Sequence, residues 1–158
     1  MACLSKGALV ALTCLLSGGC AGDDGPTSAL VVRVIDGDTV ELDGGERLRY
    51  LMIDAPEDTS EVECYGPEAT AYNQTLVEGK DIEMTFDAER TDRFGRLLAF
   101  VTVGGREVNT LMVERGYACV LHIPPNGNDR EDEFETLQAV AKSQNRGLWG
   151  ACEELPCN

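Results

Sequence analysis

The chain has 158 residues, 28 acidic against 13 basic, a formal net charge of −15 and 43% hydrophobic residues. That length suits one domain with one modest core. The acid excess excludes a protein that grips polyanions through bulk positive charge, because non-specific affinity for a phosphate backbone comes from Lys and Arg.

In chain order, Met1 to Lys6 is a short positive segment and Gly7 to Leu16 is an apolar run too short to span a bilayer. Ser17-Gly18-Gly19-Cys20 then supplies the small residues of a cleavage site. This start resembles a bacterial lipoprotein signal, which implies an exported chain anchored to a membrane by lipid on Cys20. Ser17 departs from the usual leucine three places before the cysteine, so ordinary secretion with Cys20 incidental is the alternative. Residues 1–19 are read as the signal and 20–28 as a small, polar tether. Removing the signal takes away Lys6 and no acid, so the remainder is more acidic still.

Residues 29–150 form the folded domain. Leu30 to Ile35 is β-branched and ends at Asp-Gly; Thr39 to Leu42 alternates and ends at Asp43-Gly44-Gly45; Leu48 to Ile53 follows. A helix over 67–78 begins at Pro67 and stops at Gly79, with Ala69, Tyr72 and Leu76 on one face. Ile82 to Phe86 and Leu97 to Val103 are two further strands around the polar loop 87–96. Val108 to Arg115 is a short helix closed by Gly116, and a last helix over about 130–145 buries Phe134, Leu137 and Ala141, with Trp149 as a core plug behind it. Five strands with a helix between the third and fourth predict an α+β, β-rich fold: a five-stranded OB-type Greek-key barrel with three helices. The tail 151–158 carries Cys152 and Cys157. With Cys64 and Cys119 these make four cysteines in an exported domain, which predicts two disulfides of open connectivity. A zinc site is the rival, weakened by the loose Cys152-x4-Cys157 spacing and a single His.

The chemistry concentrates at three strand ends. Asp36-Gly37-Asp38 taken alone reads as a turn. Asp54 closes the apolar run Leu51-Met52-Ile53, however, and a carboxylate there needs a partner. Two such carboxylates suit a hard cation that takes six to eight oxygens. Glu57 follows Pro56 and is placed to deprotonate a water. Arg49 and Arg96 flank these acids, and guanidinium forks match phosphate oxygens and stay charged at any working pH. Five arginines, at 47, 49, 90, 93 and 96, lie beside these motifs, which gives a local positive cleft in an acidic shell.

The ordered strings Ile-Asp-Gly-Asp-Thr-Val (35–40), Arg-x4-Asp-x-Pro-Glu (49–57), Tyr-Gly-Pro-Glu-Ala (65–69), Arg-Thr-Asp-Arg-Phe-Gly-Arg (90–96), Val-Asn (108–109) and Leu-Trp (148–149) resemble the thermonuclease (staphylococcal or micrococcal nuclease) family from about Leu30 to Trp149. The resemblance implies a Ca²⁺-dependent, non-specific endonuclease that cleaves DNA and RNA to 3′-phosphate ends, favours single strands and acts as a monomer. It implies that Asp38 and Asp54 hold Ca²⁺ with help from the Ala55 carbonyl, that Arg49 and Arg96 bind the scissile phosphate, and that Glu57 is the general base. Ala55 stands where threonine is common in the family. Phe94 replaces a tyrosine and keeps stacking on the substrate without the hydroxyl contact. In the strand before Pro124 a second aromatic is replaced, and His122 is the candidate substrate contact there. Thinned lysines imply weaker, more salt-sensitive binding. The alternatives are a non-catalytic OB module that binds nucleic acid, and a disulfide-stapled lipoprotein that merely scavenges cations. Both leave the intact set Asp38, Arg49, Asp54, Glu57 and Arg96 unexplained.

Overall fold

The computed structural model describes residues 27–157. The signal and the lipidated-cysteine reading therefore lie outside the described residues, as does most of the tether, and Ser28 already opens the first strand. Strands β1 (Ser28–Val34) and β2 (Thr39–Leu42) form an antiparallel hairpin, and β3 (Arg47–Tyr50) pairs antiparallel with β2. On the other side of β1 lie β5 (Asp81–Thr85) and then β6 (Leu97–Val103), both antiparallel. The parallel pairing of β3 with β6, in the register Leu48 to Leu97 and Tyr50 to Ala99, closes the ring. This is the predicted five-stranded barrel. Closure leaves no free edge among these strands, and alternate residues such as Val31, Val40, Leu48, Ile82 and Val101 point into a fully buried core.

Three strands are two residues long and were not visible in the pattern: β4 (Ile53–Asp54), β7 (Arg106–Glu107) and β8 (Cys119–Val120). The predicted strand Leu48 to Ile53 is in fact broken. Met52 takes φ = 66°, which turns the chain out of β3, and Ile53–Asp54 resume as β4 against β8 instead of β6. The break delivers Asp54 to the barrel mouth.

Helices α1 (Gly66–Val77), α2 (Val108–Glu114) and α3 (Glu131–Ser143) match the three expected, and α4 (Leu148–Ala151) adds one turn. The α1 face is Ala69, Asn73 and Val77 in the core, with Tyr72 partly covered and stacked on Tyr117 at 4.1 Å between ring centroids. The plug behind α3 is Leu148, not Trp149. The chain enters α4 through Gly147, which turns Leu148 inward, while Trp149 lies half-buried under the Lys142 ammonium. Two disulfides, Cys64–Cys152 and Cys119–Cys157, use the four cysteines and leave none for zinc.

Candidate active site

Arg49 is the hub. Its side chain is only 18% exposed at the end of β3, and one terminal nitrogen donates to Asp38 Oδ1 at 2.6 Å. The other donates to Asp54 Oδ1 at 2.8 Å and to the Ile53 carbonyl at 3.2 Å. A guanidinium carries five N–H donors, so three are committed and two remain for a ligand.

Asp38 sits just before β2 and is 2% exposed. Its backbone is fixed by its carbonyl, which accepts from Tyr50 N, and by its N–H, which donates to Asp36 Oδ1. The carboxylate also accepts from Thr39 Oγ1 at 2.9 Å and from Ala55 N at 2.8 Å. Burial pushes its pKa up to about 7, against the downward pull of Arg49 and with a further push from Asp36. The turn can lie this close to Ala55 because residue 37 is glycine: a Cβ there would strike the Ala55 methyl and stand 3.0 Å from that of Ala69. Asn73 secures the same turn from α1, donating to the Asp36 carbonyl while accepting from Tyr50 Oη.

Asp54 is more open, at 38% exposure, and its Oδ2 accepts no hydrogen bond from the described residues. Burial would lower the Arg49 pKa, but Asp38, Asp54 and Asp36 together raise it. Three carboxylates around one guanidinium leave a surplus of two negative charges, which suits a divalent cation. Among the described residues no three His, Cys, Asp or Glu side chains converge as a ready-made cage. Asp38 and Asp54 are the two carboxylates that Arg49 brings together here.

Arg49 also lines a cleft of about 400 Å³, together with Arg93, Phe94 and Arg96. Arg96 is aimed by Asp92, which accepts from its Nε at 2.7 Å and from the backbone N–H groups of Arg96 and Phe94. Burial would raise the Asp92 pKa, but these hydrogen bonds outweigh it and lower it. The terminal nitrogens of Arg96 point to no acceptor among the described residues. Phe94 is 68% exposed, with the Arg93 and Arg96 guanidinium carbons 4.7 and 5.6 Å from its ring centroid. Asn126 is buried at the cleft floor and clasps Glu89 at both backbone atoms, while Gly127 N donates to Asp87.

Arg49, Asp38, Asp54 and Ala55 thus meet in one hydrogen-bonded group, and Arg49, Phe94 and Arg96 share one cleft. Glu57 is in neither contact set. Its carboxylate is exposed and meets only Thr59 Oγ1, at 3.3 Å, among the described residues. His122 does not line the cleft; it lies between Glu131 at 3.1 Å and Asn128 at 3.0 Å, and the hydrogen bond to Glu131 raises its pKa. Asp36, Asp92, Asn73 and Asn126 also support the site and were not expected as site residues. Asp36 and Asp92 carried turn signals, Asp-Gly-Asp and Asp-x-x-Gly, whereas Asn73 carried none.

A family model described as staphylococcal nuclease homologue matches residues 47–151, which includes Arg49, Asp54, Glu57 and Arg96 and begins after Asp38. The chain is 34% identical over 124 residues to the SPbeta prophage-derived endonuclease YokF of Bacillus subtilis (strain 168), covering 74% of this chain and 42% of that protein. It is 34% identical to endonuclease YncB of the same organism, covering 74% and 59%. With the thermonuclease of Staphylococcus intermedius it shares 32% identity over 128 residues, 77% of this chain and 76% of that one. The chain spans less than two thirds of either Bacillus protein.

Proposed function

The chain belongs to the staphylococcal nuclease homologue family, and on that premise we propose that it is a Ca²⁺-dependent, non-specific endonuclease that hydrolyses DNA and RNA, single strands in preference, to 3′-phosphate products. The observation that carries this reading is Arg49, tied to two carboxylates on one side and facing the Arg96 cleft on the other. A positive cleft bordered by surplus negative charge is what a phosphodiester and a dication together require.

Asp38, Asp54 and the Ala55 carbonyl would hold the Ca²⁺, whose charge would offset that gathering on the phosphate oxygens. Arg49 gives its two uncommitted N–H groups to the phosphate and Arg96 gives its terminal fork, both held in place before substrate arrives. Glu57 takes the proton from the attacking water; its open carboxylate leaves a lone pair free for that role. Phe94 stacks on a base beside the scissile phosphate. Attack of the water on phosphorus breaks the P–O5′ bond, which leaves the phosphate on the 3′ end and a hydroxyl on the 5′ end.

Export and lipid anchoring at Cys20 remain part of the reading, supported by the signal-like start and by two disulfides, which persist in oxidising compartments. The test is incubation of the purified protein with a labelled single-stranded oligonucleotide in Ca²⁺ and in EGTA at low salt. Cleavage in Ca²⁺ alone, with ends that a 3′-phosphatase alters, is expected. Intact substrate in Ca²⁺ would favour the binding-module alternative.

A further inference from the structure

Both disulfides hold the same short C-terminal tail, and each fastens it to a segment bearing a carboxylate of the site. Cys64–Cys152 joins it to the loop that follows Glu57. Cys119–Cys157 joins it to β8, where Cys119 is the register partner of Asp54 in β4. We propose that residues 152–157 act as a strut that positions Glu57 and Asp54, and that the four cysteines are positioning residues for turnover and for cation affinity; this rests on the nuclease reading above.

The loop after Glu57 is thinly held without the tail, while Asp54 also has its ion pair with Arg49 and Val120 N its bond to Gln138 Oε1. The loop from Thr59 to Val62 is exposed, and its main fastenings are internal: Glu57 N to Glu63 Oε2 and Glu63 N to the Glu57 carbonyl, both at 2.9 Å. A loop with so little buried apolar surface opens at small free-energy cost. The β4–β8 pair is two residues long on each strand, so the crosslink at Cys119 adds a covalent tie to the strand that pairs with Asp54. A strut also needs a fixed root, and this one has it. Leu148 is fully buried and its N–H donates to the Gly116 carbonyl at 2.9 Å. Backbones touch there, since a Cβ on Gly116 would strike the Arg146 carbonyl and one on Gly147 would strike that of Gly116. Cys152 N donates back to the Leu148 carbonyl, so the first crosslink begins one turn from the anchor. The Cys64–Cys152 link carries that rigidity to Cys64, 88 residues away in sequence, and Cys157 closes the far end of the tail on Cys119.

A staple that merely stabilises the whole fold would act uniformly, whereas a strut acts locally. The test uses the full chain, oxidised and reduced by dithiothreitol. Each disulfide takes up two electrons and two protons to give two thiols, and the reagent closes to its cyclic disulfide. Amide hydrogen exchange is read alongside steady-state cleavage and a Ca²⁺ titration. On reduction, exchange at Ala55, Glu57 and Glu63 should accelerate about tenfold or more while barrel amides such as Val40 and Val101 keep their rates. The pair Cys64→Ser/Cys152→Ser should lower kcat about tenfold with an unchanged Ca²⁺ midpoint, and Cys119→Ser/Cys157→Ser should raise that midpoint by a similar factor. Unchanged exchange at the three site amides, or barrel amides accelerating in step with them, would overturn the strut. So would kcat and Ca²⁺ midpoint that stay at wild-type values in both pairs. If the oxidised protein cleaves nothing, the nuclease reading fails, and exchange alone decides whether the tail holds the two segments.

Discussion

Replacing Arg49 separates the two halves of the site. Arg49→Met removes the cation beside Asp38, which is buried and keeps only Thr39, Ala55 and its own turn as partners. Breaking a buried ion pair from one side costs about 3–5 kcal/mol. The Asp54 leg adds little, about 0.5 kcal/mol, because that carboxylate is 38% exposed and readily solvated. Arg49→Lys keeps the charge but cannot reach Asp38, Asp54 and the Ile53 carbonyl together, and the lost hydrogen bonds amount to about 2 kcal/mol. Urea unfolding in EGTA at about pH 8.5, where Asp38 is ionised in the wild type, measures both, and a double-mutant cycle should show stronger coupling of Arg49 to Asp38 than to Asp54. A loss below about 1 kcal/mol for Arg49→Met would refute the reasoning, as would equal coupling to the two acids.

Asp38 provides a pH signature. Its folded pKa is pushed up to about 7, so between the ordinary carboxylate range and pH 7 the metal-free native state holds a proton that the unfolded state does not. Stability in EGTA should fall as pH rises from about 4 to 7, by more in the wild type than in Asp38→Asn, as read by urea midpoints. Phe94→Ala should raise KM for a single-stranded oligonucleotide by about tenfold while leaving kcat unchanged, since stacking on an exposed ring contributes about 1–3 kcal/mol per base. Asn126→Ala should destabilise the protein by about 1–3 kcal/mol in urea unfolding by leaving the Glu89 backbone groups unpaired, and should weaken oligonucleotide binding with it.

The barrel was legible because its strands alternate or run β-branched between Gly-marked turns, and because Pro67 and Gly79 bracket α1. The break at Met52 was not, since Leu51-Met52-Ile53 reads as unbroken apolar strand and only the tertiary pairing of Asp54 with Cys119 reveals the turn. Arg49, Asp38 and Asp54 were legible as acids and a base at strand ends. The amides that brace the surrounding segments were not: Asn73 reaches the Asp36 carbonyl, Asn109 the Leu51 carbonyl and Asn126 the Glu89 backbone, each distant in sequence, and no local pattern marks such a bond. His122 illustrates the converse. Its place near the cleft in sequence invited a substrate role, but its ring lies between Glu131 and Asn128. The disulfide pairing is likewise a property of where the tail returns, which spacing cannot give.

Glu57 is the residue on which the chemical reading turns, because it alone of the five lies outside both the hydrogen-bonded group and the cleft lining. Glu57→Gln keeps its shape and removes its basicity. Single-turnover cleavage of a single-stranded oligonucleotide in saturating Ca²⁺ should slow by about 10²–10⁴-fold, while the Kd measured in EGTA stays within about threefold of wild type. A cleavage rate near wild type, or a loss in Kd as large as the loss in rate, would contradict the assignment of Glu57 as the base.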